Sequence, residues 1–177
     1  MKYSLWLCPP ESSPSFVLLD SLLSDVSKSL LTERFVPHAT LFSPVLADND
    51  EDAVDQVRKY TKALAPGGIH VDIAALKTGN KYYQCILLEA IDSDSLLAAN
   101  NAAREYWSAQ SQPLFNPHVS VAYGQLAGEE LNNAETLVRS MLPNDLQQLS
   151  FVAKEIRIVM TVGPCSQWYI AGRVPID

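Results

Sequence analysis

The chain is short of positive charge. Thirteen lysines and arginines face twenty aspartates and glutamates, a net charge of −7 over 177 residues. That balance argues against a general nucleic-acid or anionic-membrane surface, which needs a basic face. A small anionic substrate remains compatible, because one pocket can be positive within a negative field. Cysteine is also scarce. Cys8, Cys85 and Cys165 are odd in number and far apart, so they read as free or buried thiols of a reducing compartment rather than a disulfide framework. No stretch approaches the roughly 18 apolar residues of a membrane span. The opening "MKYSLWLCPPESSP" has too short an apolar run for a signal peptide. The expected location is intracellular, either cytoplasmic or peripherally attached to an organelle. Low-complexity segments and flexible linkers are missing too. At 47% hydrophobic and 19% charged, the chain can bury a sizeable core. One domain over 1–177, built as two small lobes sharing that core, is expected, and a monomer.

Short strands alternate with helices, and Pro/Gly breaks separate them. Residues 3–8 form an apolar strand ended by Pro9 and Pro10. Ser13-Pro14 is a cap followed by proline at the first helical position, and Leu19, Leu22, Leu23, Val26 and Leu30 keep helical spacing to about residue 31. A strand over 37–42 is stopped by Pro44. The acids of "LADNDED" suit the start of a helix whose face is Val54, Val57, Thr61 and Leu64. "IHVDIAAL" and "YYQCILLEAI" read as strands around the turn "KTGNK". Helices over 93–109 and 129–142 flank the strand "PHVSVAYG". "FVAKEIRIVMTVG" and "QWYIAGRVPI" close the chain as strands. This order of elements is an α+β pattern.

Histidine is rare as well, and two of the three occur in one repeated phrase: "RFVPHATLFSP" at 34–44 and "LFNPHVSVAYG" at 114–124. Side chains alternate along a strand. His38 and Thr40 therefore share one face, with Ala39 and Leu41 on the other. His118 and Ser120 share a face, with Val119 and Val121 opposite. The apolar members hold each strand to the core, so the polar members must line a groove. If the two strands lie side by side, that groove carries two imidazoles and two hydroxyls. Such a set suits a phosphodiester. A neutral imidazole can take a proton from water, and an imidazolium can give one to the leaving oxygen. Thr40 and Ser120 can donate to the non-bridging phosphoryl oxygens. The sequence has no carboxylate or Cys/His ligand cluster, so neither a metal nor another cofactor is expected.

"HATL" and "HVSV" resemble the paired His-x-Thr/Ser-x motifs of the two-histidine phosphoesterase superfamily. With the flanking "WLCPP", "TGNKYYQCILLEA" and "PHVSVAYG", the chain is similar, over essentially its whole length, to the small eukaryotic cyclic phosphodiesterases of plants and fungi. The resemblance implies a bilobal fold, with antiparallel sheets lining a central groove and helices outside. It implies opening of ribose cyclic phosphates: ADP-ribose 1'',2''-cyclic phosphate, a by-product of tRNA splicing, to ADP-ribose 1''-phosphate, and nucleoside 2',3'-cyclic phosphates to 2'-phosphates. His38, Thr40, His118 and Ser120 fill the four catalytic positions, with serine where many members have threonine. By the same analogy His118 is the base and His38 the acid, although the residues themselves leave those roles open. Some fungal members make a Golgi association an option.

Three aromatics are further candidates for base or sugar contacts. Tyr83 follows "TGNK", where the resemblance puts an aromatic near the nucleobase. A core role is the alternative. Tyr123 ends the second phrase. Strict alternation turns it away from the groove unless the strand bulges, whereas the resemblance brings it to the site. Trp6 is a groove wall or a core residue. His70 has no hydroxyl two residues on and reads as structural. No lysine or arginine stands out as a phosphate clamp. Three other readings remain. An RNA end-processing or ligase-like relative needs a basic track that an acidic chain of this size does not offer. A module that binds cyclic nucleotides without turnover has the same groove. A plain α+β protein with coincidental phrases need not bring the histidines together.

Overall fold

A computed structural model describes residues 1–176; Asp177, the last residue of the expected domain, lies outside them. The elements run β1 (Lys2–Leu7), α1 (Pro14–Leu30), β2 (Ala39–Leu46), α2 (Asp50–Thr61), β3 (Ile69–Val71), β4 (Ile73–Thr78), β5 (Ile86–Ala90), α3 (Asp94–Tyr106), β6 (His118–Ala122), α4 (Gly128–Met141), β7 (Phe151–Ala153), β8 (Glu155–Met160) and β9 (Tyr169–Pro175). The helices start where their caps predict. Ser13 accepts the Phe16 N–H with Pro14 at the first helical position, and Asn49 accepts the Asp52 N–H. In α1, Leu19, Leu22, Leu23 and Val26 are buried as their spacing requires. In α2 the buried face is Ala53, Val57 and Tyr60 rather than Val54, Val57, Thr61 and Leu64. The reason is tertiary: the Tyr60 hydroxyl donates to the Ala99 carbonyl of α3 at 2.7 Å, while Val54 sits half-buried over Gly172 of β9, where a Cβ would collide with it.

Seven strands form one antiparallel sheet in the order β4-β5-β6-β2-β1-β8-β9. Its middle is narrow: β2 and β6 meet through one registered pair, Ala39 with Val119. The fold is the expected α+β arrangement in two halves, β4-β5-β6 on one side and β2-β1-β8-β9 on the other. Leu5, Leu7, Leu41, Val119, Val121, Ile156 and Ile158 are buried in one core with Leu19, Val57, Leu96 and Val138 of the helices. The helices thus cover one face of the sheet, and the other face holds the groove.

Four strand expectations change. "IHVDIAAL" breaks at Asp72 and residues 151–163 break at Lys154, because β3 and β7 pair with each other as a separate two-stranded sheet. The "YYQ" of the predicted strand is a 3-10 turn, Tyr82–Gln84, before β5 begins. Finally, β2 passes through Pro44 to Leu46. Pro44 lies where the register skips, between the pairs Leu5–Phe42 and Tyr3–Val45, so its missing N–H removes no ladder bond.

The two histidine phrases share a backbone irregularity. Trp6 pairs with Thr40 and Leu5 with Phe42, leaving Leu41 as an extra residue in β2. Leu87 pairs with Ser120 and Ile86 with Ala122, leaving Val121 extra in β6. Each bulge falls three residues after its histidine. The bulge in β2 is supported from α3, where buried Asn100 donates its side-chain N–H to the Leu41 carbonyl at 2.8 Å.

Candidate active site

The single β2–β6 pair decides the site. Around Ala39–Val119 in antiparallel register, one step either way brings Thr40 level with His118 and His38 level with Ser120. Each imidazole therefore stands beside the hydroxyl contributed by the other phrase. All four residues line one groove of about 500 Å³. The behaviour expected from alternation holds: Ala39, Leu41, Val119 and Val121 are buried in the core behind.

Both rings are tied in the same way. His38 Nδ1 lies 2.7 Å from the Val36 carbonyl, and His118 Nδ1 lies 2.7 Å from the Asn116 carbonyl. A carbonyl only accepts, so in each ring Nδ1 carries the proton and the neutral tautomer leaves Nε2 as a free acceptor. His38 is 4% exposed. It lies flat on Trp6, with ring centres 3.5 Å apart and planes 8° from parallel, and edge-on to Phe35 at 6.0 Å. Burial pulls its pKa from the usual 6.5 down to about 4; the Val36 hydrogen bond opposes this, and the His118 charge adds to it. His118 is half-buried and is lowered as well, by burial against the opposing pull of its Asn116 hydrogen bond.

Ser120 is buried, and its hydroxyl donates to the Tyr83 carbonyl at 3.0 Å. Thr40 is half-buried on the groove wall. Tyr123 settles the conflict between alternation and resemblance in favour of the groove. The extra residue Val121 shifts the phase, so Ala122 enters the core and Tyr123 emerges on the side of Ser120. Its hydroxyl lies beside that of Ser120, and burial pushes its pKa up. Tyr83 is half-exposed on the groove, edge-on to Tyr123 at 5.1 Å. Trp6 both walls the groove and fills a small cluster with Cys8 and Val159. His70 is exposed on β3 and does not line the groove.

A family model described as cyclic phosphodiesterase-like protein matches residues 1–176. The chain belongs to this family. Among curated relatives, a cyclic phosphodiesterase of Arabidopsis thaliana is 26% identical over 167 residues, covering 90% of this chain and 84% of that protein. A 2',3'-cyclic-nucleotide 3'-phosphodiesterase of Yarrowia lipolytica is 23% identical, covering 97% and 98%. Among solved structures, TT0787 of Thermus thermophilus superposes with a TM-score of 0.66 at 11% identity, covering 99% of this chain and 98% of that one. Escherichia coli LigT complexed with 3'-AMP gives 0.61 at 13%, covering 99% and 97%. At such identities these structures speak for the fold. The two-histidine phosphoesterase resemblance read from the motifs is borne out by the family match.

Several groove residues of this cyclic phosphodiesterase-like chain were not legible in its sequence. Phe35 stacks on Tyr123 at 3.9 Å and 13°; its place inside the first phrase was the available signal. Trp168, from the turn before β9, stands edge-on to Trp6 at 5.8 Å. Lys81 and Arg104 are the two cations of the lining. They lie 23 residues apart in sequence, and nothing in their local pattern joins them. Among the described residues no three His, Cys, Asp or Glu side chains gather as a metal-binding group. No helix among the described residues is long and apolar enough to cross a membrane.

Proposed function

We propose that this chain hydrolyses ribose cyclic phosphates by paired histidine acid–base catalysis, without a metal. The observation that carries this reading is the matched pair of imidazoles. Each is locked as the Nδ1–H tautomer, and each opens on the same groove beside the other strand's hydroxyl. Water attacks phosphorus in line with the ribose 3'-oxygen. One Nε2 takes the proton of the water as the new P–O bond forms. The other ring, protonated, gives its proton to the 3'-oxygen as the old P–O bond breaks. The product is a nucleoside 2'-phosphate. Thr40 and Ser120 donate to the equatorial oxygens, where charge shifts in the transition state. Donation by Ser120 requires its hydroxyl to turn from the Tyr83 carbonyl. The names of the plant and fungal relatives support the same substrate class. ADP-ribose 1'',2''-cyclic phosphate, linked to tRNA splicing, is the second substrate proposed. Tyr83 offers an exposed ring to the base and sugar, with the largely buried Tyr123 and Trp6 lining the groove beside it, and Lys81 supplies local positive potential in an acidic chain.

The resemblance makes His118 the base and His38 the acid. One observation favours the exchange. His38 is sealed against Trp6 and held neutral, the form a base needs. Leaving-group chemistry separates the two assignments. A 4-nitrophenyl ester departs without a proton, so the variant lacking the acid keeps turnover on it and the variant lacking the base does not. The primary test uses His38→Ala and His118→Ala with 2',3'-cyclic AMP, identifying the phosphomonoester formed. Each loses at least about a hundredfold in kcat if both proton transfers are used. Near-normal turnover in either variant sinks the mechanism, and binding without turnover by the unmodified protein makes it a binding module.

A further inference from the structure

We propose that Arg104 is the positioning residue for His118. Its guanidinium, on the last turn of α3, is spent on backbone. Nη1 donates to the Pro113 carbonyl at 2.9 Å, and Nη2 donates to the carbonyls of Gln112 at 2.7 Å and Gln110 at 3.1 Å. The segment so gathered leads directly into Leu114, Phe115, Asn116 and Pro117. At its far end the Pro117 carbonyl accepts the Ala90 N–H of β5 at 2.9 Å. Between these two anchors lies the Asn116 carbonyl that holds His118 Nδ1.

The other half of the molecule repeats the device with different residues. There the carbonyl holding His38 belongs to Val36. Two residues before it, the Arg34 guanidinium is tied to Asp20 of α1, at 2.6 Å to the carboxylate and 3.3 Å to the carbonyl. In both halves an arginine joins the preceding helix to the segment that carries the tautomer-setting carbonyl. A guanidinium suits this work because its planar fork donates in several fixed directions, which an ammonium cannot reproduce. The segment over 107–117 has no helix or strand of its own. Trp107, Ala109 and Phe115 pack on the core but Leu114 is 94% exposed, so the backbone of 110–113 depends on the arginine for its carbonyl partners.

This inference rests on the acid–base reading for its effect on rate, but its spectroscopic test does not. Arg104→Met and Arg104→Lys are compared with the unmodified chain by 15N-detected histidine NMR and by kinetics on 2',3'-cyclic AMP. In Arg104→Met the His118 ring is expected to lose its single Nδ1–H tautomer, with a mixture of both forms appearing. Its titration moves up towards 6.5 as the segment loosens and burial is relieved, while His38 keeps its signals. Turnover falls by about tenfold to a hundredfold in kcat. Arg104→Lys recovers only part of this, and it carries the test if the methionine variant fails to fold. Unchanged His118 signals in a folded variant overturn the proposal, even if turnover is lost, since Arg104 then acts on the substrate rather than through the ring. A single shifted tautomer with full kcat overturns it equally.

Discussion

His38 should make the stability of this protein fall as the pH drops through a range in which most carboxylates are still ionised. The folded ring is sealed by Trp6 and Phe35 and titrates at about 4 instead of 6.5. Its folded pKa is therefore lowered, and between these values the unfolded chain holds the extra proton. The contribution is complete above pH 6.5 and is lost as the pH falls towards 4. At 1.36 kcal/mol for each unit between the two pKa values, the full loss is about 3 kcal/mol. At pH 5 the unfolded ring is almost wholly protonated and the folded ring only about one-tenth so, which gives a loss of about 2 kcal/mol relative to pH 7.5. His118 is lowered too and adds in the same direction, so a variant must isolate the first ring. Urea unfolding at pH 7.5 and pH 5.0 is measured for the unmodified chain and for His38→Gln. The drop in stability is expected to be about 2 kcal/mol smaller in the variant. Equal drops in the two proteins would refute the claim that His38 is buried as a neutral ring.

The same lowered pKa values shape catalysis. Whichever ring is the acid must hold a proton, so kcat/KM should peak below pH 6.5 and decline as the pH rises through the higher of the two values; a plateau extending to pH 8 in the rate profile counts against it. Thr40→Val and Ser120→Ala each remove one donor from the transition state, and steady-state kinetics should show kcat falling about a hundredfold with smaller changes in KM. Lys81→Met should raise KM by about threefold to tenfold at low salt, and added salt should shrink the difference between variant and parent; equal salt slopes would remove Lys81 from substrate attraction.

The sequence by itself determined the pieces that local chemistry dictates. Ser13-Pro14 and Asn49 started their helices because a side-chain oxygen beside free N–H groups is a local device. His38, Thr40, His118 and Ser120 were readable as one set because a period of two sorts each phrase into polar and apolar faces, and both apolar faces are indeed buried. Tertiary structure decided the rest. Tyr123 reached the groove through the unpaired residue Val121, and a bulge is a property of two strands in register, invisible along one of them. Tyr83 left its predicted strand because the 3-10 turn brings its carbonyl to Ser120. The low pKa of His38 comes from burial among side chains such as Trp6, 32 residues away in sequence, and the loop before His118 is held by an arginine of α3. Sequence pattern reports which way a side chain points from its own backbone. Desolvation, stacking and the meeting of β2 with β6 depend on what stands opposite, and that is settled only when distant segments of the chain come together.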